Sequence, residues 1–250
     1  MKIFIAYFDY LGFKDFIENN SEEEQKRIIL NNFRDMERAR SINKYTETQF
    51  GMIADTTRSK INCINFSDTI VFWTKDDSID SLKELLSVSF TFNLQSVLYF
   101  FPVRGAIVYG EMTYHDFSKE NENGAVFNIN SVFGKGLVRA HLKADAQNWA
   151  GTVIDSSLTT ELNDRGIIVS EFLAPVAKLF KVPYKKHIVN QEEYVCMLTR
   201  GEMNQETFKN LSETIDRNFK AYNKKVDDQS VQDKLKNTIE FLESFLPSHA

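Results

Sequence analysis

Cysteine, histidine and excess positive charge are all scarce in this sequence, and each scarcity removes a class of protein. Only two cysteines occur in 250 residues, Cys63 and Cys196, far apart and without metal-ligand spacing. A disulfide scaffold and a cysteine zinc site are thereby excluded, and reduced, buried thiols of a cytosolic protein are expected. The four histidines, His115, His141, His187 and His249, form no constellation. A net charge of -5, from 30 Lys and Arg against 35 Asp and Glu, leaves no electrostatic footprint for nucleic acid. No apolar run is long enough to cross a bilayer, and Met1-Lys2 followed by a short apolar run ending at Asp9 is not a signal peptide. The chain is therefore expected in the cytoplasm, with neither a membrane nor a nucleic acid as partner. Internal repeats and low-complexity tracts are missing too. Core material is abundant: an apolar fraction of 42% with 21 Phe suffices for one large domain, or one domain with an appendage.

The most informative stretch is Ile3-Phe4-Ile5-Ala6-Tyr7-Phe8-Asp9-Tyr10-Leu11-Gly12-Phe13. Its apolar run reads as a strand buried on both faces. The strand delivers Asp9 to its C-terminal end, just before a glycine turn and helix-forming residues. In Ile61-Asn62-Cys63-Ile64-Asn65-Phe66-Ser67-Asp68-Thr69-Ile70-Val71-Phe72-Trp73, two strand-like runs flank Ser67-Asp68, predicting a hairpin with Asp68 at its tip. Taken singly, Asp9 serves equally well as a helix N-cap and Asp68 as a turn residue. Carboxylates are costly to bury unpaired, and two of them framed by core strands point to a shared cation.

Around these strands the pattern alternates. Residues 14–20 read as a short helical turn. Ser21-Glu22-Glu23-Glu24 is a capping box for a helix reaching about Arg40, with Ile29, Phe33 and Met36 at helical spacing. Residues 41–57 are polar and irregular. Asp76-Asp77-Ser78 caps a helix whose wide apolar face runs over 79–97. Residues 103–112 read as a strand, 115–123 as a charged loop, and Asn123-Gly124 as a turn. Gly134-Lys135-Gly136 leads into a helix over 137–149, then a short strand over 151–155 and a short helix from Ser156. Strand, helix, strand, strand, helix, strand is the order of a ferredoxin-like βαββαβ core, so the fold class is α+β. Further on, 167–172 and 187–198 read as an added β segment. Phe208, Leu211, Ile215 and Phe219, then Val231, Leu235, Ile239, Leu242 and Phe245, mark two amphipathic helices. Linked by 223–230, they form a C-terminal helical hairpin that packs on the core or on a second subunit. The expected division is a core over 1–165 and an extension over 166–250.

Four segments, in order, resemble the class III nucleotide cyclase catalytic domain of adenylate and guanylate cyclases. Tyr7-Phe8-Asp9-Tyr10-Leu11-Gly12-Phe13 is similar to its first-strand motif, in which an aromatic, an aspartate and Gly-Phe recur. Phe66-Ser67-Asp68-Thr69 is similar to its Gly-Asp-Ser hairpin tip, with Ser67 in the glycine position. Val103-Arg104-Gly105-Ala106-Ile107-Val108-Tyr109-Gly110 resembles its Arg-x-Gly-Ile-x-x-Gly strand, with Ala106 inserted. Phe133-Gly134-Lys135-Gly136-Leu137-Val138-Arg139-Ala140 resembles the Tyr-Gly start of the helix that carries transition-state residues. The resemblance spans residues 3–155. The Leu-Gly-Phe after the aspartate, the small single-domain chain and the Gly-Lys-Gly-Leu-Val-Arg-Ala-His helix start look like the bacterial anti-phage pyrimidine cyclases of Pycsar systems. Those make cyclic UMP or cyclic CMP on infection and activate a separate effector. Two family features are replaced: the purine-reading lysine falls at Ile64, and the helix Asn and Arg fall at Val138 and Leu142.

The resemblance implies a second-messenger synthase in anti-phage defence, which cyclises UTP or CTP and serves a separate cyclic-nucleotide-responsive effector. In such a step the ribose 3′ oxygen attacks the α-phosphorus and pyrophosphate leaves. Charge builds on phosphate oxygens, so catalysis is mostly positioning and electrostatics. Two hard ions, Mg²⁺ or Mn²⁺, take oxygen ligands. Asp9 and Asp68 are the catalytic pair, with the main-chain carbonyl of Tyr10 as third ligand. The turn Leu11-Gly12-Phe13 opens a helix, and its free N–H groups suit a triphosphate. Either Asn65 or Ile64, which alternate faces, meets the base, and Arg104 is a second candidate for the base carbonyl. Arg139, with Lys143 four residues on, is the candidate for replacing the missing helix charge. A solvated helix face accounts equally well for Arg139 and Lys143, as does a paired structural role for Arg104. The resemblance also implies a homodimer, with metal aspartates from one subunit and helix residues from the other. The alternative is a catalytically inactive cyclase-fold module that binds a nucleotide or a partner. Retention of both aspartates favours the enzyme; loss of the helix pair favours the module.

Overall fold

The computed structural model describes residues 1–247 apart from 43, 50, 100, 186, 187 and 202. His187 and His249 lie outside the described residues. β1 (Lys2–Tyr10) leads to α1 (Phe13–Asn19) and α2 (Glu22–Ser41), then to a small hairpin of β2 (Tyr45–Thr48) and β3 (Gly51–Ala54). The hairpin of β4 (Asn62–Phe66) and β5 (Thr69–Trp73) precedes α3 (Ile79–Tyr99), β6 (Val103–Glu111) and an arm made of β7 (Thr113–Glu120) and β8 (Val126–Phe133). Next come α4 (Lys135–Ala146), β9 (Thr152–Ile154), α5 (Ser156–Asp164) and α6 (Val169–Leu173). β10 (Ala177–Val182), β11 (Gln191–Cys196), α7 (Gln205–Lys220) and α8 (Gln229–Glu243) complete the order.

The main sheet has seven strands in the order β10-β11-β9-β6-β1-β5-β4. Its β6-β1-β5-β4 section is antiparallel throughout, which is the expected ferredoxin-like core. β9 joins β6 in parallel, and β11 and β10 extend that edge antiparallel. Phe4, Ala6, Phe8 and Tyr10 of β1 enter one core with α2 and α3, while Ile3, Ile5 and Tyr7 enter a second with α4. A strand whose alternate side chains are buried on both faces has no use for polar residues. α4 can lie close to the sheet because Gly110 faces Gly136: a Cβ on Gly110 would stand 2.7 Å from the Gly136 Cα. Ser21 caps α2 by accepting from the Glu24 N–H, and Asp76 accepts from the N–H of Ser78 just before α3. Ile215 and Phe219 of α7 and Leu235, Phe241 and Leu242 of α8 share the larger core with the sheet. The C-terminal hairpin therefore packs on the core. Cys63 and Cys196 are free, and burial pushes both thiols up to about 12, which makes them poor nucleophiles. Among the described residues no helix is long and apolar enough to cross a membrane.

Several sequence expectations need correction. The segment expected as a strand over 167–172 is helical over Val169–Leu173, because Leu173 turns into the core instead of pairing along a sheet. The partner of β11 is instead β10, Ala177–Val182. The charged loop expected over 115–123 is mostly β7, and the irregular stretch over 41–57 holds the β2–β3 hairpin. Both hairpins are mostly exposed on both faces, so no buried alternation betrays them. The Asn123-Gly124 turn does sit at the head of the arm, where Asn121 Oδ1 accepts from the N–H groups of Asn123 and Ala125. α4 stops at Ala146, short of Trp149, because Gln147 leaves the helix to donate to Gly105 O while its Oε1 accepts from Trp149 Nε1.

Asp35 on α2 is only 4% exposed, and burial pushes its carboxyl up to about 7, against a weaker pull from Arg38. Unfolded, the same group releases its proton near ~4. The folded form thus holds a proton that the unfolded chain sheds, so stability is lost as pH rises from about 4 to 7. Asp35→Asn should match the wild type at pH 4 and exceed it by about 2–4 kcal/mol at pH 8. Paired chemical-denaturation curves at the two pH values measure this, and an equal difference at both would refute it.

Candidate active site

Asp9 stands opposite Thr69 of β5 on one side and Arg104 of β6 on the other. Beyond it the backbone is stitched to both neighbours: the Tyr10 N–H donates to Asp68 O at 3.0 Å, and the Leu11 N–H to Pro102 O at 2.8 Å. These bonds bring the β4–β5 tip against the end of β1, and so Asp68 against Asp9. Ser67 at the tip has φ 55, the left-handed region in which the resembled motif has glycine. The amide of Asn65 donates to Ser67 O at 3.3 Å and Thr69 O at 3.0 Å, holding that turn.

Arg104 Nε donates to Asp9 Oδ2 at 2.8 Å, with both side chains 16% exposed. Its other nitrogens reach Asp145 Oδ1 at 2.8 Å and Asp145 O at 3.1 Å, and Lys185 pairs with the same carboxylate at 2.8 Å. Burial holds the Asp9 carboxyl above its ordinary value; Arg104 pulls the other way, and Asp68 and Asp145 push it further up. Among the described residues the Asp68 carboxylate has no hydrogen-bond or ion-pair partner. No group of three or more His, Cys, Asp or Glu side chains that could hold a metal occurs among them either. The site is therefore a pair of acids, one orientated by an arginine and one free. That donor set fits a hard divalent cation which completes its shell with waters and phosphate oxygens. The ring of Tyr10 packs against Phe92 and Phe101, so Tyr10 has only its main chain to offer a metal.

A second feature lies on the same face of the sheet. A pocket of about 550 Å³ opens between the β4–β5 hairpin, β8 and α4. Its lining includes Ile64, Val71, Val132, Leu137 and Val138 among the apolar groups, and Tyr7, Thr69, Asn130 and His141 among the polar ones. Ile64 is in register with Val71, which is in register with Tyr7; Ile64 and Asn65 both line the pocket, with the Asn65 amide tied to Ser67 O and Thr69 O. The Tyr7 hydroxyl lies 3.2 Å from Thr69 Oγ1 and 3.1 Å from His141 Nδ1. Sequence reasoning set His141 aside. Its spacing of four from Leu137 was the available signal, since that spacing puts both on one helix face.

Arg139 and Lys143 are not brought to this pocket. Arg139 Nε binds Asp155 Oδ1 at 2.6 Å and its Nη2 reaches Ser156 Oγ at 3.1 Å, at the start of α5. Lys143 pairs with Glu193 at 2.6 Å. Both line a separate cleft of about 580 Å³. Val138 and Leu142, where the resembled helix has Asn and Arg, are 57% and 61% exposed.

No family model matches the sequence, and no curated protein matches it significantly. Solved structures do match its architecture. The catalytic core of a rhodopsin-guanylyl cyclase with converted specificity, in complex with ATPαS, aligns over 78% of this chain and 95% of its own, with a TM-score of 0.52 at 9% identity. The guanylate cyclase domain of RhGC from Catenaria anguillulae, in complex with GTP, covers 78% and 96%, with a TM-score of 0.51 at 9% identity. The non-canonical dimeric guanylyl cyclase domain of the RhoGC fusion protein from the aquatic fungus Blastocladiella emersonii covers 78% and 93%, with a TM-score of 0.50 at 10% identity. The fold is that of a nucleotide cyclase catalytic domain. Within this cyclase fold, Asp9 lies on the inner strand β1, Asp68 at the tip of the adjoining hairpin, and His141 on α4, which packs against β1 and β6.

Proposed function

We propose that this cyclase fold is an active, metal-dependent pyrimidine nucleotide cyclase, with residues 1–165 as catalytic core and 166–250 as an extension packed on it. The observation that carries the reading is the Asp9–Asp68 pair, one carboxylate held by Arg104 and the other without a partner among the described residues. In the reaction a bond forms between the 3′ oxygen and the α-phosphorus, the bond to the β-phosphate oxygen breaks, and the 3′ proton passes to solvent. Two Mg²⁺ or Mn²⁺ ions bound by Asp9, Asp68 and the Tyr10 carbonyl would supply charge neutralisation at the attacking and leaving oxygens. Arg104 orientates Asp9, a role in keeping with its two acidic partners. The Leu11-Gly12-Phe13 turn directly after the aspartate receives the triphosphate through the N–H groups of Gly12 and Phe13, since that of Leu11 is taken by Pro102 O.

The pocket beneath α4 receives the base. Ile64 and Val138 make it apolar where purine-reading and transition-state groups stand in the resembled enzymes. Asn130 Oδ1 lies 3.2 Å from the Tyr114 hydroxyl, which leaves its amide N–H groups for a pyrimidine carbonyl. A purine would leave polar groups unpaired, at about 1–3 kcal/mol each. UTP or CTP should therefore be cyclised at least roughly tenfold better than ATP or GTP, the factor that 1.4 kcal/mol supplies. Equal concentrations of all four triphosphates with Mn²⁺, products resolved by mass, test this. Cyclic AMP or cyclic GMP as main product would overturn the pyrimidine assignment. No product from any of the four would favour the inactive binding module, the reading that the apolar Val138 and Leu142 support.

The assembly is a homodimer. Phe66 at 80%, Val138 at 57% and Leu142 at 61% exposed form an apolar rim beside the pocket, which a second copy would cover. Light scattering of the wild type and Val138→Glu should give a dimer and a monomer respectively; a wild-type monomer with full activity would remove the idea. The cyclic product would act on a separate effector in anti-phage defence.

A further inference from the structure

The connection between α7 and α8 crosses the outside of the turn that follows Asp9. Asn20 Nδ2 donates to Tyr222 O at 2.7 Å, Asn19 Nδ2 to Asn223 O at 3.1 Å, and the Lys225 N–H to Asp15 Oδ2 at 3.2 Å. Tyr222 and Asn223 both adopt left-handed backbone, φ 62 and 55, which turns Lys224 inward. Lys224 is 8% exposed. Its chain presses on Gly12, where an added Cβ would stand 2.7 Å from the Lys224 Cδ, and Gly12 itself has φ 77. The ammonium donates to Asn218 O at 2.8 Å and stands 4.3 Å from the centre of the Phe101 ring.

A pocket of about 80 Å³ remains between this strap and the turn, with Leu11, Gly12 and the acidic Asp15 on one side and Lys224, Lys225 and Lys234 on the other. At this volume the pocket accommodates a group of phosphoryl size. Lys234, on α8, is half-buried, and among the described residues its ammonium bonds to the hydroxyl and carbonyl of Ser230. Among the described residues neither Lys224 nor Lys234 has a carboxylate within salt-bridge distance. Burial holds Lys234 below the ordinary lysine range and the like charge of Arg104 adds to this, while Asp228 pulls the other way more strongly than Lys185 pushes. Three lysines set against the single carboxylate of Asp15, which accepts from the Lys225 N–H, leave an excess of positive charge that a polyanion would relieve.

We propose that this pocket grips the terminal phosphates of the nucleoside triphosphate, with Lys234 as the principal ligand and Lys225 beside it, so that the C-terminal hairpin completes the substrate site of its own chain. The assignment rests on the cyclase reading for the substrate but not for the anion. Lys224 is the positioning residue that holds the turn against the pocket.

The test uses the full chain and inorganic tripolyphosphate with Mg²⁺, followed by calorimetry, beside steady-state kinetics with the preferred triphosphate. Lys234→Gln should weaken tripolyphosphate binding and raise KM at least about tenfold, and Lys234→Arg should restore most of both. Lys236→Gln makes the same charge change on the exposed side of α8, where Lys236 pairs loosely with Glu240 at 3.6 Å, and should alter neither. Tripolyphosphate binding that depends on Lys234, in a protein that cyclises nothing, would uphold the anion site and remove the enzyme. Unimpaired cyclisation and tripolyphosphate binding in Lys234→Gln would overturn the site and leave the enzyme standing.

Discussion

Asp68→Ala should fold as the wild type does and lose cyclisation by at least about a hundredfold, the scale on which single electrostatic groups matter in transition states. The Asp68 carboxylate bonds to nothing in the protein among the described residues. Its removal therefore strands no partner, and stability should stay within about 0.5 kcal/mol. Asp9→Ala should be equally inactive but slightly less stable. Arg104 loses one of its two carboxylates and keeps Asp145, so the guanidinium is not left alone. Both variants should also lose the Mn²⁺ binding measured by calorimetry without nucleotide. Product formation at wild-type rates in either variant would sink the metal assignment, whatever the nucleotide.

Gly136→Ala should be the most damaging single-methyl change outside the acids. The added Cβ would stand 2.8 Å from the Gly110 carbonyl carbon and from Ile5 Cδ1, and 3.0 Å from Glu111 O. Two of those three atoms are backbone and cannot rotate away, so α4 must lift from the sheet. Overpacking of this kind costs about 3 kcal/mol, or a fall in Tm of roughly 6–12 °C for a chain of this size. The lift would also part His141 from the Tyr7 hydroxyl, now 3.1 Å away, and widen the pocket between α4 and the β4–β5 hairpin. Activity should fall more steeply than stability, and a melting curve beside an activity assay at 20 °C separates the two. An unchanged Tm would mean that the helix does not approach the sheet so closely.

Much of this could be read directly from the chain. The two-faced burial of β1, the hairpin carrying Asp68, the long α3 and the two C-terminal helices were all legible, because each is written as a local period of apolar side chains. The candidate acids were legible for the converse reason: a carboxylate inside an apolar strand pattern breaks the period and stands out. The β7–β8 arm was not legible, since a hairpin exposed on both faces is held by backbone pairing and carries no such period. The mistaken strand over 167–172 shows the same limit from the other side. Ile167, Ile168 and Val169 favour a strand locally, and only the packing of Leu173 turned the segment into a helix. Composition and periodicity alone determined an α+β chain with a two-acid strand end and a helical tail. Which acids meet which cations was decided by the tertiary structure alone. Arg104 reaches back 95 residues to Asp9 and forward 41 to Asp145, Arg139 turns away to Asp155, and Lys224 reaches Gly12 from the far end of the chain. Such pairings follow from strand register and from how helices dock on the sheet. Both are set by the summed burial of the whole core, so no local window of sequence contains them.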